Sequence, residues 1–298
     1  MRLEVKDLHK SYSGNEVLHG ISFQVESGRA LGLLGRNGAG KTTTIRIIMN
    51  VFNKDSGSIE IDGKPFHVNE YKIGYLPEER GLYPKRTVME QLVFFGCLRG
   101  MSKAQARSSA KYYLERLEIA EYANRKLETL SKGNQQKIQL AQTLITDPDL
   151  VIFDEPFSGL DPVNAKLLKD LVQECIEKGK LVIFSSHQMN YVEEFCEDVV
   201  IIHHGNIVLN GDLQAIKQDF GRGRLVLSTT VDDKIIAQLP GVKQIVPGKH
   251  ELIIELEQGY EAQAFLETLV KQRIPVLRFG MYEPSLTEIF VEKAGDHA

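Results

Sequence analysis

The chain lacks any apolar stretch long enough to cross a bilayer. Its longest run, Leu92–Leu98, is far short of the ~18 residues that a spanning helix needs. The opening residues MRLEVKDLHK alternate apolar and polar and hold no apolar h-region, so no signal peptide is expected. Cysteine is scarce: Cys97, Cys175 and Cys196 are odd in number, far apart and form no C-x-x-C. That pattern argues against disulfide and zinc frameworks and is read as buried, reduced thiols of a cytosolic protein. A basic excess is also missing. The formal net charge is −4, whereas a duplex-binding domain usually carries positive charge, so no nucleic-acid partner is expected.

What is present is an ordinary globular composition, 42% apolar and 26% charged, which excludes disorder and collagen. The 298 residues suggest about two domains at ~150 residues each. Domains of that size bury a core without disulfides or metals.

The first 65 residues read as short strands and turns, with RLEVKDL and GISFQVESG alternating in polarity. ALGLLG (30–35) is a continuous apolar run, as in a strand buried on both faces, and a helix is predicted from Lys41 to about Met49. From Thr87 to about Arg125 the pattern is helical, with capping boxes at TVME (87–90) and SKAQ (102–105). A further helix starts near Ser131. Buried strands LVIF (150–153) and LVIFSS (181–186) flank a helix over 163–178. Alternating apolar strands and helices imply a parallel sheet covered on both faces. A polar, glycine-containing stretch, QDFGRGR near 218, reads as a linker. Beyond it the order β-α-β-β-α-β is that of a ferredoxin-like unit.

GRNGAGKT (35–42) fits G-x-x-x-x-G-K-[ST], a match expected by chance in about 1% of chains this long. It follows a predicted strand and opens a helix, as its mechanism requires. Gly35, Gly38 and Gly40 permit the backbone angles that turn successive N–H groups inward as an anion nest. Arg36, Asn37, Ala39 and Thr43 complete the nucleotide-binding segment. Lys41 supplies a point charge for the β- and γ-phosphates, and the Thr42 hydroxyl is a ligand for Mg²⁺. NKDS (53–56) puts Asp55 one position too early for the guanine motif N-K-x-D, so ATP is preferred to GTP. Further along, LVIFDEP (150–156) ends an apolar strand in two carboxylates. Asp154 is placed to bind Mg²⁺ through water, and Glu155 to polarise the attacking water.

Together these residues resemble the ATP-binding subunit of an ABC transporter, over residues 1 to about 215. GRNGAGKT and LVIFDEP stand for the two Walker motifs. LSKGN (130–134) stands where the family has LSGGQ, SGLDP (158–162) matches the D-loop, and His187 in FSSHQ matches the switch histidine. The resemblance implies a P-loop cassette, an α/β fold with a mixed sheet and a helical subdomain at about 87–145. The cassette is expected over 1–217 and a small α+β accessory domain over 222–298. It implies that Tyr12 stacks on adenine, and that His187 holds the γ-phosphate and water with Glu155 as base. It also implies that Ser131, Gly133 and Asn134 bind the γ-phosphate of ATP held by a second copy, with Asp161 at the contact between copies.

Three departures stand out. Glu78 replaces the Q-loop glutamine, so a carboxylate faces the metal and γ-phosphate; it either strengthens the Mg²⁺ site or adds repulsion that slows ATP binding. Lys132 replaces the first signature glycine, either adding charge near the phosphate or pointing to solvent. Asn134 replaces glutamine but keeps an amide.

The expected function is an ATPase that powers export through a separate membrane permease, working as a homodimer at the cytoplasmic face of the membrane. The permease contact is expected near Leu82, Tyr83 and the helices at 87–125. A soluble cassette protein acting on ribosomes or DNA is the rival. Translation factors of that type carry two cassettes per chain, and chromosome ATPases place long coiled coils between the Walker motifs. Neither feature is present. A catalytically dead regulatory cassette would not keep Glu155 and His187. The last residues, MYEPSLTEIFVEKAG, resemble the accessory domain of drug- and sodium-exporter cassettes, read as a dimerisation or regulatory unit.

Overall fold

A computed structural model describes residues 1–78, 81–157, 162–248 and 251–294. The chain forms two compact units, Met1–Asp212 and Leu213–Ala298.

The first unit rests on two sheets. Arg2–Tyr12 and Asn15–Glu26 form an antiparallel hairpin, extended through Ser56–Ile61 to Lys64–Pro65. Alternation in these strands sends Leu3, Val5, Leu8, Ile21, Phe23 and Val25 to one buried face. The second sheet has the order Asn206–Asp212, Asp198–His203, Ala30–Leu34, Leu181–Ser186, Leu150–Asp154, Ile73–Leu76. All neighbours in it are parallel except the first pair, so the sheet is mixed. Every residue of Ala30–Leu34, Leu150–Asp154 and Leu181–Ser186 is buried. That is why these strands read as unbroken apolar runs. Ile45, Ile47 and Ile48 of the helix Lys41–Ile48 join the core shared by the two sheets. Each such side chain contributes about 1.5–3 kcal/mol on burial.

The helical subdomain contains Val88–Leu98, Lys103–Arg116 and Lys132–Leu144. Both expected capping boxes form. Thr87 Oγ1 accepts the Glu90 N–H at 3.3 Å, and Glu90 accepts the Thr87 N–H at 3.1 Å. Ser102 and Gln105 repeat the exchange at 3.3 and 2.9 Å. No helix among the described residues is long and apolar enough to cross a membrane.

In the second unit the antiparallel sheet runs Val242–Pro247, Leu252–Leu256, Arg224–Ser228, Arg278–Met281. Helices Asp233–Ile236 and Ala262–Lys271 place Ile236, Phe265 and Leu269 on its core beside Leu225, Leu227 and Ile254. With strands and helices in that chain order, the fold is ferredoxin-like.

Two expectations are corrected. The stretch near 218 is not a linker: Leu213–Gly221 is a helix of the second unit. Leu213, Ile216 and Phe220, at helical spacing, form its inward side, and Gln214, Gln218 and Asp219 are exposed. Cys175 and Cys196 are buried, but Cys97 is exposed on the outer side of Val88–Leu98.

Candidate active site

Three parallel strands end side by side, because the register pairs Leu34 with Ser186 and Asp154 with Ser185. Each strand delivers its next residues to the same edge: Gly35–Thr42, His187 and Glu155. The C-terminal edge of a parallel sheet is where α/β proteins build ligand sites.

In the phosphate loop Gly38 and Gly40 adopt φ of 81° and 115°, a region closed to most side chains. A Cβ on Gly40 would lie 2.6 Å from Leu18 Cδ2, so the space excludes one as well. Gly40 offers no side-chain cap to the helix Lys41–Ile48, which leaves the first amide groups for an anion. Lys41 is only 7% exposed; its ammonium donates to the Gly35 carbonyl at 2.6 Å and the Arg36 carbonyl at 3.4 Å. Burial lowers its pKa, and the charges of Glu155, Asp154 and Glu78 oppose that shift. It is a buried cation already facing negative charge.

Asp154 is 4% exposed and accepts two hydroxyls, Tyr75 at 3.1 Å and Ser185. The Ser185 bond follows directly from the register. Burial and then the charge of Asp154 push the Tyr75 phenol upward, which keeps it a donor. Glu155 is 7% exposed. His187 Nδ1 lies 2.8 Å from its Oε1, and the Ser186 hydroxyl donates to its Oε2 at 3.2 Å. The Glu155 backbone has φ of 49° and donates its N–H to the Ser185 carbonyl at 3.0 Å. A non-glycine residue held in that region stores strain, as functional positions often do.

A cleft of about 410 Å³ gathers these elements. Its walls are Tyr12, Val17, Arg36, Asn37, Gly38, Ala39, Gly40, Lys41, Thr42, Thr43, Glu78, Asp154 and Glu155. Gly35 joins through Lys41, and His187 through Glu155. A second cleft of about 1070 Å³ shares Thr42, Glu78 and Asp154 with the first and runs past Arg46 and Tyr75 to Leu98 and Arg99. Glu78 is an exposed carboxylate where the two meet. Thr42, Glu78 and Asp154 form an all-oxygen donor set. Mg²⁺ takes one or two carboxylates and keeps waters and substrate phosphates as its other ligands, so this set fits it. Among the described residues no group of three or more His, Cys, Asp or Glu could hold a metal unaided.

Ser131 caps the helix Lys132–Leu144 by accepting the Asn134 N–H at 3.3 Å. Lys132, beside Ser131, is exposed on the first turn of this helix. Ser131, Gly133 and Asn134 are not walls of either cleft. Their helix reaches the site another way. Gln136 donates to the Pro156 carbonyl at 2.8 Å and Gln139 to the Pro77 carbonyl at 3.2 Å. These carbonyls adjoin Glu155 and Glu78. The sequence reading missed both glutamines, as well as Tyr75 and Ser185. Gln139 is buried among Ile138, Leu140 and Ala141, which marks it as constrained without naming its partner. Asp161 lies outside the described residues. The expected permease surface is corrected at Leu82, which is buried, whereas Tyr83, Phe94 and Leu98 are exposed. Tyr83 stacks on Phe95 at 5.9 Å and meets Phe94 edge-on at 6.2 Å.

Residues 18–158 match the ABC transporter family. Residues 211–294 match the C-terminal domain of DrrA1-3-like ATP-binding proteins. The uncharacterized ABC transporter ATP-binding protein YhaQ of Bacillus subtilis is 40% identical over 98% of both chains. The linearmycin resistance ATP-binding protein LnrL of the same organism is 31% identical, again over 98% of each. The Nod factor export ATP-binding protein I of Paraburkholderia xenovorans is 35% identical over 72% of each. A solved structure titled as the ATP binding subunit of an ABC transporter superposes with a TM-score of 0.68 at 32% identity, covering 74% of this chain and 94% of that one.

Proposed function

The chain belongs to the ATP-binding subunits of ABC transporters, and from that premise we propose that two copies close around ATP and Mg²⁺ to drive export through a separate permease. One observation carries the reading: Tyr12, the phosphate loop, Asp154 and Glu155 share one cleft, and His187 is bonded to Glu155. Members of this family bind ATP, and the ABC domain is an ATPase domain.

In the proposed cycle Tyr12 stacks on adenine while the loop amides and Lys41 cradle the phosphates. Thr42, Asp154 and Glu78 hold the metal, which supplies charge neutralisation at the phosphate oxygens. Glu155 accepts the proton of the attacking water, and His187 orients that water and the γ-phosphate. Ser131, Gly133 and Asn134 contact the ATP of the second copy, and Asp161 lies at the junction of the two. ATP then acts as part of the dimer interface.

The permease is proposed to dock over the larger cleft and the Tyr83, Phe94 and Leu98 patch. An apolar patch of this kind on a polar surface is suited to a protein partner. Relatives named for linearmycin resistance and Nod factor export support the outward direction. The subunit then sits at the cytoplasmic face of the membrane, and the second unit, Leu213–Ala298, serves as a dimerisation or regulatory unit. The soluble ribosome or DNA factor has no observation in its favour. Purified chain given ATP and Mg²⁺ is expected to release phosphate, and affinity capture from membranes to retrieve a multi-span protein. Absence of hydrolysis, or capture of ribosomes instead, contradicts the proposal.

A further inference from the structure

NKDS (53–56), rejected above as a guanine motif, contacts the nucleotide cleft indirectly. Asp55 precedes the strand Ser56–Ile61 and faces the hairpin strand that ends in Tyr12. It grips three consecutive residues of that strand. Its N–H donates to the His9 carbonyl at 3.0 Å. Its Oδ1 accepts the Lys10 ammonium at 2.8 Å, and its Oδ2 accepts the Ser11 N–H at 2.6 Å. The bond from Lys10, then that from Ser11, holds this carboxyl below the usual range.

The Tyr12 ring is held as well. Phe52 meets it edge to face, with centroids 5.9 Å apart and planes at 75°. The Lys10 ammonium lies 5.3 Å from its centroid. Phe52 in turn carries the Arg46 guanidinium at 5.4 Å, and Arg46 stands on the helix that begins at the phosphate loop.

The hairpin ladder pairs Tyr12 with Asn15 but leaves the orientation of the ring to its neighbours. Its register slips between Lys10 and Ser11, and the turn that follows passes through φ of 51° at Ser13 and 85° at Gly14. A stacking ring contributes more affinity when its orientation is set before the ligand arrives, because no ordering cost is left to meet on binding. We propose that Asp55, with Phe52, is a positioning residue that braces Tyr12 against the phosphate loop and so sets the affinity for a nucleobase as distinct from bare phosphates. The inference rests on the reading of Tyr12 as the adenine platform.

The test titrates the full chain with ATP and with inorganic tripolyphosphate, both with Mg²⁺, by calorimetry. Tyr12→Ala should weaken ATP by about tenfold, the loss of one stacked base. Asp55→Ala should weaken ATP by about five-fold and leave tripolyphosphate within about twofold. Phe52→Leu should act in the same direction. Asp55→Ala added to Tyr12→Ala should cost nothing further, because the brace has no ring left to hold. The brace is overturned if Tyr12→Ala weakens ATP and Asp55→Ala does not, if the two losses add, or if Asp55→Ala weakens both ligands equally. If Tyr12→Ala leaves ATP affinity unchanged, the stacking reading fails and the brace with it, while tripolyphosphate binding still reports on the phosphate loop.

Discussion

At the residue scale the site is organised by carboxylates in distinct settings. Asp154 is immobilised by two hydroxyls, Glu155 is bonded to an exposed imidazole, and Glu78 stands open between the clefts. A hard cation arriving with phosphates needs such oxygens, and an exposed carboxylate can join them without the desolvation that burial imposes. Glu78→Gln is therefore expected to raise the Mg²⁺ concentration for half-maximal hydrolysis by about tenfold, which corresponds to about 1.4 kcal/mol. An unchanged Mg²⁺ dependence would remove Glu78 from the metal site. The buried Lys41 ammonium is sustained by the three carboxylates that oppose its desolvation. Those same charges must be offset when phosphates bind, which is a further reason for a divalent cation in the cleft.

At the element scale, pairing and capping explain most of the positions. The parallel register alone aligns Ser185 with Asp154 and brings the phosphate loop beside Ser186. The capping box at Thr87 starts the helix Val88–Leu98, which carries part of the proposed permease surface. Thr87→Ala removes the acceptor for the Glu90 N–H and should cost about 1 kcal/mol in urea unfolding, with ATP affinity unchanged. A loss near zero would mean the box is not formed in solution. The same scale explains what was legible in the sequence. Strands such as Leu150–Asp154 announce themselves because burial on both faces demands unbroken apolar residues. The phosphate loop is legible because its glycines answer a local backbone need. Contacts between segments distant in sequence are not legible. Tyr75 meets Asp154 across 79 positions, and Gln139 meets Pro77 across 62. No local pattern encodes either contact. The helix Leu213–Gly221 was misread because its polar residues and terminal glycine outweighed three spaced apolar ones.

At the scale of the whole molecule, Gln136 and Gln139 connect the helix that begins at LSKGN to the residues beside Glu155 and Glu78. In the proposed dimer that helix touches the partner's nucleotide, so both glutamines lie on a physical route between the two ATP sites. The permease is expected to act through the exposed aromatic patch. Tyr83→Asp places a charge where an apolar partner must settle, at a residue 51% exposed and therefore tolerant of the change. Transport in membrane vesicles should fall severalfold while hydrolysis by the isolated subunit stays at its original rate. Loss of both would assign Tyr83 to folding instead. The central claim, that Glu155 is the base of an ATPase that closes around its substrate, is tested most directly by Glu155→Gln. Phosphate release and ATP-dependent association are measured together on one preparation. The account predicts that this variant binds ATP, forms a dimer detectable by light scattering with Mg²⁺, and loses turnover by about 10²-fold or more. Turnover at the original rate in that variant would contradict it.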